Sequence, residues 1–357
     1  MPIFAFVGAY TGPNKAEGIS VFRLEPRSGA LSPLQTVPGI ENPSFLALSP
    51  DQRYLYAVSE VSSYQGEQSG AVVAYAVDSA TGALTHLNER PSHGTVTCHV
   101  SIMPSGRFAL VANYGSGHVA AYPLEADGRL GEASCVLQHQ GTGPDPRRQQ
   151  GPHAHFITPD PSGRFILSCD LGIDKVLVYW LDDAGQLVPN TVPYGQVASG
   201  EGPRHLAFHP SGQWVYVLNE IGSSLSAFAY DQERGTLTHL QTLSTLPEDW
   251  SGRNSCAQVL VHPVGHCVYA SNRGHDSIAT FALDPASGRL RLVGHTPTGG
   301  QTPRNFALDP TGKWLLAANQ DSGTVVSFHV DPQTGRLAPA GPVAHTPAPV
   351  CIVFRSS

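Results

Sequence analysis

Charge is scarce in this chain: Asp, Glu, Lys and Arg make up 14% of 357 residues, and the net charge of −7 comes with no long basic run. A nucleic-acid groove needs clustered Lys and Arg to neutralise phosphates, so no nucleic-acid partner is expected. No apolar run approaches the roughly 20 residues of a membrane-spanning helix. The opening MPIFAFVGAYTG lacks the basic start and apolar length of a secretory signal, so a cytoplasmic location and no membrane partner are expected. Six cysteines, Cys98, Cys135, Cys169, Cys256, Cys267 and Cys351, show no C-x-x-C spacing. They offer neither a zinc site nor a compact disulfide framework and read as reduced, mostly buried thiols. Also missing are G-x-S-x-G, H-E-x-x-H and a phosphate-binding Gly-Lys loop, and with them the serine-esterase, zincin and nucleotide-hydrolase mechanisms. A small-molecule ligand or a protein partner remains, and the oligomeric state stays open.

Turn residues, by contrast, are abundant: 37 Gly and 30 Pro punctuate a composition that is 41% hydrophobic. They fall in a repeat. Its copies are PSFLALSPDQRYLYAVSE (43–60), TCHVSIMPSGRFALVANY (97–114), HAHFITPDPSGRFILSCD (153–170), PRHLAFHPSGQWVYVLNE (203–220), CAQVLVHPVGHCVYASNR (256–273) and PRNFALDPTGKWLLAANQ (303–320). Each reads as two strands around a tight Pro/Gly turn, followed by a third strand such as GHVAAYPL and a Gly-Arg-Leu or Gly-x-Leu turn into a fourth. Four short strands in about fifty residues describe a propeller blade. The ends supply a seventh copy, because PAPVCIVF (347–354) has the form of an innermost strand and IFAFVGAY and ISVFRLEP of the second and third. The expectation is all-β: one domain, 1–357, forming a seven-bladed β-propeller with four antiparallel strands per blade, closed by pairing of the strand near 349–354 with that near 3–9.

In an antiparallel hairpin the residues symmetric about the turn become neighbours. Taken 16 residues apart, these are Ser44/Glu60, Cys98/Tyr114, Ala154/Asp170, Arg204/Glu220, Ala257/Arg273 and Arg304/Gln320. The next position gives a column of Phe45, His99, His155, His205, Gln258, Asn305 and Cys351. Polar residues stacked on inner strands need mutual hydrogen bonds or a ligand. All of them are expected at one channel mouth, while the PSG, PVG and PTG turns face the other.

With these residues in view, the sequence resembles the 6-phosphogluconolactonase-type β-propeller lactonases, which also include the fungal carboxy-cis,cis-muconate cyclases. The resemblance is carried by GPHAHF (151–156), GPRHLAFHPSGQWVYVLNE (202–220), ASNRGHDSIATF (270–281), PRNFALDPTGKWLLAANQDSGTVVSF (303–328) and the opening VGAYT (7–11), and it runs essentially the full chain. It implies a seven-bladed propeller, no obligatory cofactor, chemistry on a small-molecule lactone, and an active centre of His155, Arg204, Glu220 and Arg273.

Each candidate has a plainer alternative. Arg204 with Glu220 suits a bidentate pair that fixes a guanidinium, or is a structural salt bridge at a blade edge. His153 and His155 alternate along a strand and could share a metal, but no third ligand is signalled, and hydrogen-bonding without metal is expected. His155 alone suits activation of water, since an imidazole titrates near neutrality. His99 and His205 belong to a substrate site or bond a neighbouring blade. Gln258 shares their column, and Arg304, Asn305 and Gln320 could hold a phosphate or carboxylate, unless Arg304 pairs with an acidic loop residue. Asn113 and Asn319 read as turn residues. The stretch HQGTGPDPRRQQ between Gln138 and Gly151, with Arg147 and Arg148, is a lid or a solvated surface loop. The rivals to lactone hydrolysis are a lactonising isomerase acting on carboxymuconate and a non-catalytic propeller that binds protein partners.

Overall fold

The computed structural model describes residues 2–13 and 15–356, and within them the chain forms 28 strands and no helix. No helix is therefore long and apolar enough to cross a membrane. The strands make seven four-stranded antiparallel sheets, the blades of the expected β-propeller. Six sheets follow chain order, such as Ala154–Pro159, Ile166–Asp170, Lys175–Leu181 and Leu187–Gln196. The seventh joins the ends: Pro349–Ser356 pairs antiparallel with Ile3–Ala9, from Ile3 opposite Ser356 to Ala9 opposite Pro349. The chain divides into two compact units. One comprises Met1–Gly39, His205–Tyr230 and Thr238–Ser357; the other comprises Ile40–Arg204 and Asp231–Leu237.

The second strands bury both faces; Ile166–Asp170 and Trp314–Asn319 are buried throughout. The fourth strands, such as Leu187–Gln196, are largely exposed. Within each unit the Gly-x-Leu turn clasps the neighbouring blade. Gly288 takes a positive φ of 68° and brings its backbone so close to the Trp214 ring that a Cβ would lie 2.4 Å from it. Its carbonyl accepts the Tyr216 hydroxyl at 3.0 Å. Gly128 does the same against Tyr54 and Tyr56. Only glycine supplies both the left-handed backbone and the missing Cβ. All six cysteines are buried thiols.

One feature of the hairpins differs from the sequence reading. Thr97 pairs with Asn113 and His99 with Ala112; Pro303 pairs with Asn319 and Asn305 with Ala318; Ala154 pairs with Asp170 and Phe156 with Cys169. One residue of the first strand is left over each time: Cys98, Arg304 and His155. Val350 is the corresponding extra residue between Cys351 and Pro349. A bulge of this kind bends the strand and re-aims a side chain. The expected pairs Cys98/Tyr114, Ala257/Arg273 and Arg304/Gln320 are therefore displaced, with Thr97/Asn113, Cys256/Asn272 and Pro303/Asn319 in their place. Ala154/Asp170 stands as expected.

Candidate active site

The bulge decides where each candidate falls. Anchored on its Pro-Ser-Gly turn, 154–171 rather than 153–170 is the counterpart of 97–114. His155 therefore leaves the column of His99, His205, Gln258 and Asn305, where Phe156 takes its place beside His99. It joins Cys98 and Arg304 at the bulge, the position that Arg204 occupies when counted back from its own turn. Asp170 likewise corresponds to Asn113, Asn219, Asn272 and Asn319, and Leu171 is the counterpart of Glu220 and Arg273. Matching the segments by equal length rather than by the turn hid the one-residue offset.

In the unit containing Ile40–Arg204, His155 is buried, and its Nδ1 lies 3.8 Å from the Cys98 thiol on the adjacent blade. The thiol also meets the Ala154 and His155 carbonyls. Tyr114 stands edge-on to the His155 ring at 5.4 Å and stacks on His153 at 4.6 Å. The His153 Nδ1 is 2.8 Å from the Tyr114 carbonyl, so His153 buttresses the tyrosine. Arg148 donates to the Tyr114 hydroxyl at 3.2 Å, which ties the 138–151 loop to this cluster. That loop is anchored by buried Gln149, which donates to the Leu171 carbonyl and the Asp174 carboxylate, both at 2.8 Å. His99 lies between the Phe45 and Phe156 rings, at 4.2 and 4.0 Å, and its Nδ1 accepts the Ile157 amide. Burial, reinforced by the positive charge of Arg204, holds its pKa well below the ordinary histidine value. His99 is thus a neutral acceptor held between two aromatic rings. Arg204 is itself buried.

In the other unit, Glu220 and Arg273 form an ion pair at 2.9 Å between adjacent blades, with side chains only 7% and 13% exposed. The guanidinium also donates to the Ser255 and Cys256 carbonyls. Burial lowers the Arg273 pKa, Glu220 opposes the shift, and the nearby charge of Arg304 adds to it. Arg304 lies over the Tyr10 ring at 5.3 Å. His205 and Gln258 share a 2.6 Å hydrogen bond, and the Asn305 carbonyl oxygen accepts the Ile352 amide. Gln320 turns to Asp321 and lines, with Tyr10, Lys15 and Ala348, a cleft of about 530 Å3. A cleft of about 720 Å3 at Phe165, Trp180, Val192 and Arg234 contains none of the candidates.

Asn113 and Asn319 are fully buried and hydrogen-bonded inside the fold rather than turn residues: Asn113 accepts the Thr97 hydroxyl, and Asn319 donates to the Thr298 carbonyl. Among the described residues no group of three or more His, Cys, Asp or Glu could hold a metal ion. Sequence reasoning placed Cys98 and Tyr114 at the mouth but gave them no role, and it did not single out Tyr10, since an aromatic or thiol on an inner strand carries no signal until the register is known.

This architecture defines a class. A model of the lactonase, seven-bladed β-propeller family matches residues 4–354, and the chain belongs to that family of lactone-hydrolysing enzymes. It is 36% identical to a 6-phosphogluconolactonase of Bacillus subtilis over 304 residues, 85% of this chain and 84% of the relative. A 6-phosphogluconolactonase of Formosa agariphila is 34% identical over 308 residues, 85% and 86% of the two chains. The solved structure of a periplasmic gluconolactonase of Pseudomonas aeruginosa matches with a TM-score of 0.94 and 32% identity, covering 100% of this chain and 99% of that one.

Proposed function

We propose that the protein hydrolyses a phosphorylated sugar lactone, 6-phosphogluconolactone, to the open-chain 6-phosphogluconate. The observation that carries this reading is a pair of neighbouring guanidiniums: the largely buried Arg273 held by Glu220, and the half-buried Arg304 whose charge acts on it. A dianionic substituent is held best by planar, permanently charged donors. In the proposed reaction His155 takes a proton from water, and the hydroxide adds to the lactone carbonyl. Arg204 and Arg273 meet the developing oxyanion. Collapse breaks the ring C–O bond, and the leaving alkoxide receives the proton from the imidazolium. Arg304 holds the phosphate, with His99, His153, His205, Gln258, Asn305 and Gln320 shaping the walls.

Support also comes from the names of the relatives, two of which are 6-phosphogluconolactonases and one a gluconolactonase. Ring opening of phosphorylated and plain sugar lactones, followed by proton release against the spontaneous rate, tests the reading. The phosphorylated lactone is expected to be preferred in kcat/KM. Equal rates on both would remove the phosphate from the proposal, and no rate on either would favour the binding-module alternative.

A further inference from the structure

Among the described residues, the histidine that the proposed reaction needs sits in the one blade whose buried Asn-type position is ionisable. In three other blades this position is an asparagine that takes its partner from the end of the preceding blade's outer strand. Asn272 exchanges bonds with the Thr245 hydroxyl and carbonyl, Asn319 donates to the Thr298 carbonyl, and Asn113 donates to the Ser92 carbonyl. In the His155 blade the pair is Asp170 and His139. The equivalence rests on geometry, because His139, Ser92, Thr245 and Thr298 each donate their backbone N–H to the start of the adjoining third strand, at Gly117, Gly70, Ser223 and Asp276.

The replacement changes what the position can hold. The Asp170 Oδ2 meets the His139 Nδ1 at 2.6 Å, and both side chains are wholly buried. Its Oδ1 accepts the His153 amide at 2.8 Å and the Gly172 amide at 2.9 Å. An asparagine amide would present donors to some of these donors; a carboxylate accepts from all three. The His153 carbonyl in turn accepts the Leu171 amide, so the backbone entering the bulge is fixed on both sides, two residues before His155. The His139 Nε2 is buried without a hydrogen-bond partner, so only its Nδ1 face carries the interaction.

We propose that Asp170 and His139 are positioning residues for the His155 bulge, a buried Asp–His latch that replaces the Asn latch held by Thr or Ser in other blades. The proposal rests on the catalytic role given to His155 above. Its test therefore reads both turnover and the His155 ring itself. Converting the latch to the form used elsewhere, D170N with H139T, is expected to preserve folding. It should lower kcat roughly 10–100-fold with KM within about threefold, because misplacement acts on the reacting geometry. The 1H–15N signals of the His155 imidazole should shift or broaden. At His139, Asn keeps a donor near the Nδ1 position and Leu removes it, so H139N should recover most of the kcat lost in H139L. Wild-type kcat and unchanged His155 signals in D170N/H139T would overturn the proposal. Should that variant fail to fold, equal kcat and identical His155 signals in H139N and H139L would overturn it. If no lactone is turned over by any form, the function reading fails, and the His155 signals alone decide the positioning role.

Discussion

At the scale of single residues, the site separates groups that can act from groups that are built in. His155 is buried at a bulge, where a side chain is aimed by the backbone rather than by its rotamer alone, and the buried Arg204 is its counterpart when counted from the turn. Replacing His155 with Gln keeps a hydrogen-bonding side chain but removes the proposed base, and a loss of about 10²–10⁴ in kcat is expected, with the melting temperature little changed. Arg204→Lys keeps the charge and removes the planar fork, so a comparable loss is expected in kcat/KM. Wild-type rates in both variants would mean the centre lies elsewhere. Glu220 carries a second burden, because its removal leaves Arg273 buried without its counter-charge. Glu220→Ala should cost about 3 kcal/mol in denaturant unfolding as well as activity. His99 sets a pH dependence. Its folded pKa is lowered, so between that value and about 6.5 the unfolded chain binds a proton that the folded one does not. Stability is present above about pH 6.5 and is lost as pH falls below it. His118, His262, His266 and His295, each lowered chiefly by burial, act in the same direction. His99→Gln should make the decline in unfolding free energy between about pH 6.5 and 5 shallower; an unchanged slope would assign it to the other histidines.

At the scale of elements, periodicity made the strands legible and bulges made the register illegible. Period-2 alternation and Pro/Gly turns are local, so the six hairpins and the split seventh blade could be read from the chain. A bulge inserts one residue without changing composition, so nothing in HAHFITPDPSGRF announces that His155, not Ala154, is the extra one. The turn was the reliable anchor, and counting from it would have put His155 with Arg204 and Arg304 and left Asp170 among the asparagines. The pairing of Glu220 with Arg273 was equally hidden, because it crosses between blades. The Gly-x-Leu turns were recognised as punctuation, but their contact with the next blade's aromatic was not, since it depends on a missing Cβ. Gly288→Ala therefore tests a structural link far from the candidate site. Both the left-handed φ and the Trp214 ring oppose a methyl group, so a loss of about 1–3 kcal/mol is expected with kcat/KM unchanged. A neutral result would show that the ring shifts freely and that the clasp is not a tight one.

At the scale of the whole molecule, the two ends of the chain complete one sheet, and that sheet has no other source of an innermost strand. Pro349–Ser356 runs beside Ile3–Ala9 over the latter's full length, and Val350, Cys351 and Ile352 are buried. The Asn305 side chain takes the Ile352 amide, so the strand is also tied to the neighbouring blade. Removing the last ten residues withdraws two large aliphatic side chains, at about 1.5–3 kcal/mol each. It also strips the hydrogen-bond partners from Ile3–Ala9, which is buried along its whole length, and so exposes an apolar sheet edge. Against a total stability of about 5–15 kcal/mol, that loss should leave a chain that is largely unfolded or aggregated at 37 °C. The truncated chain is expected to lose its cooperative thermal transition, and a synthetic peptide of residues 347–357 should restore part of it by adding the missing strand. Full thermal stability without those residues would show that the remaining strands hold the fold without closure.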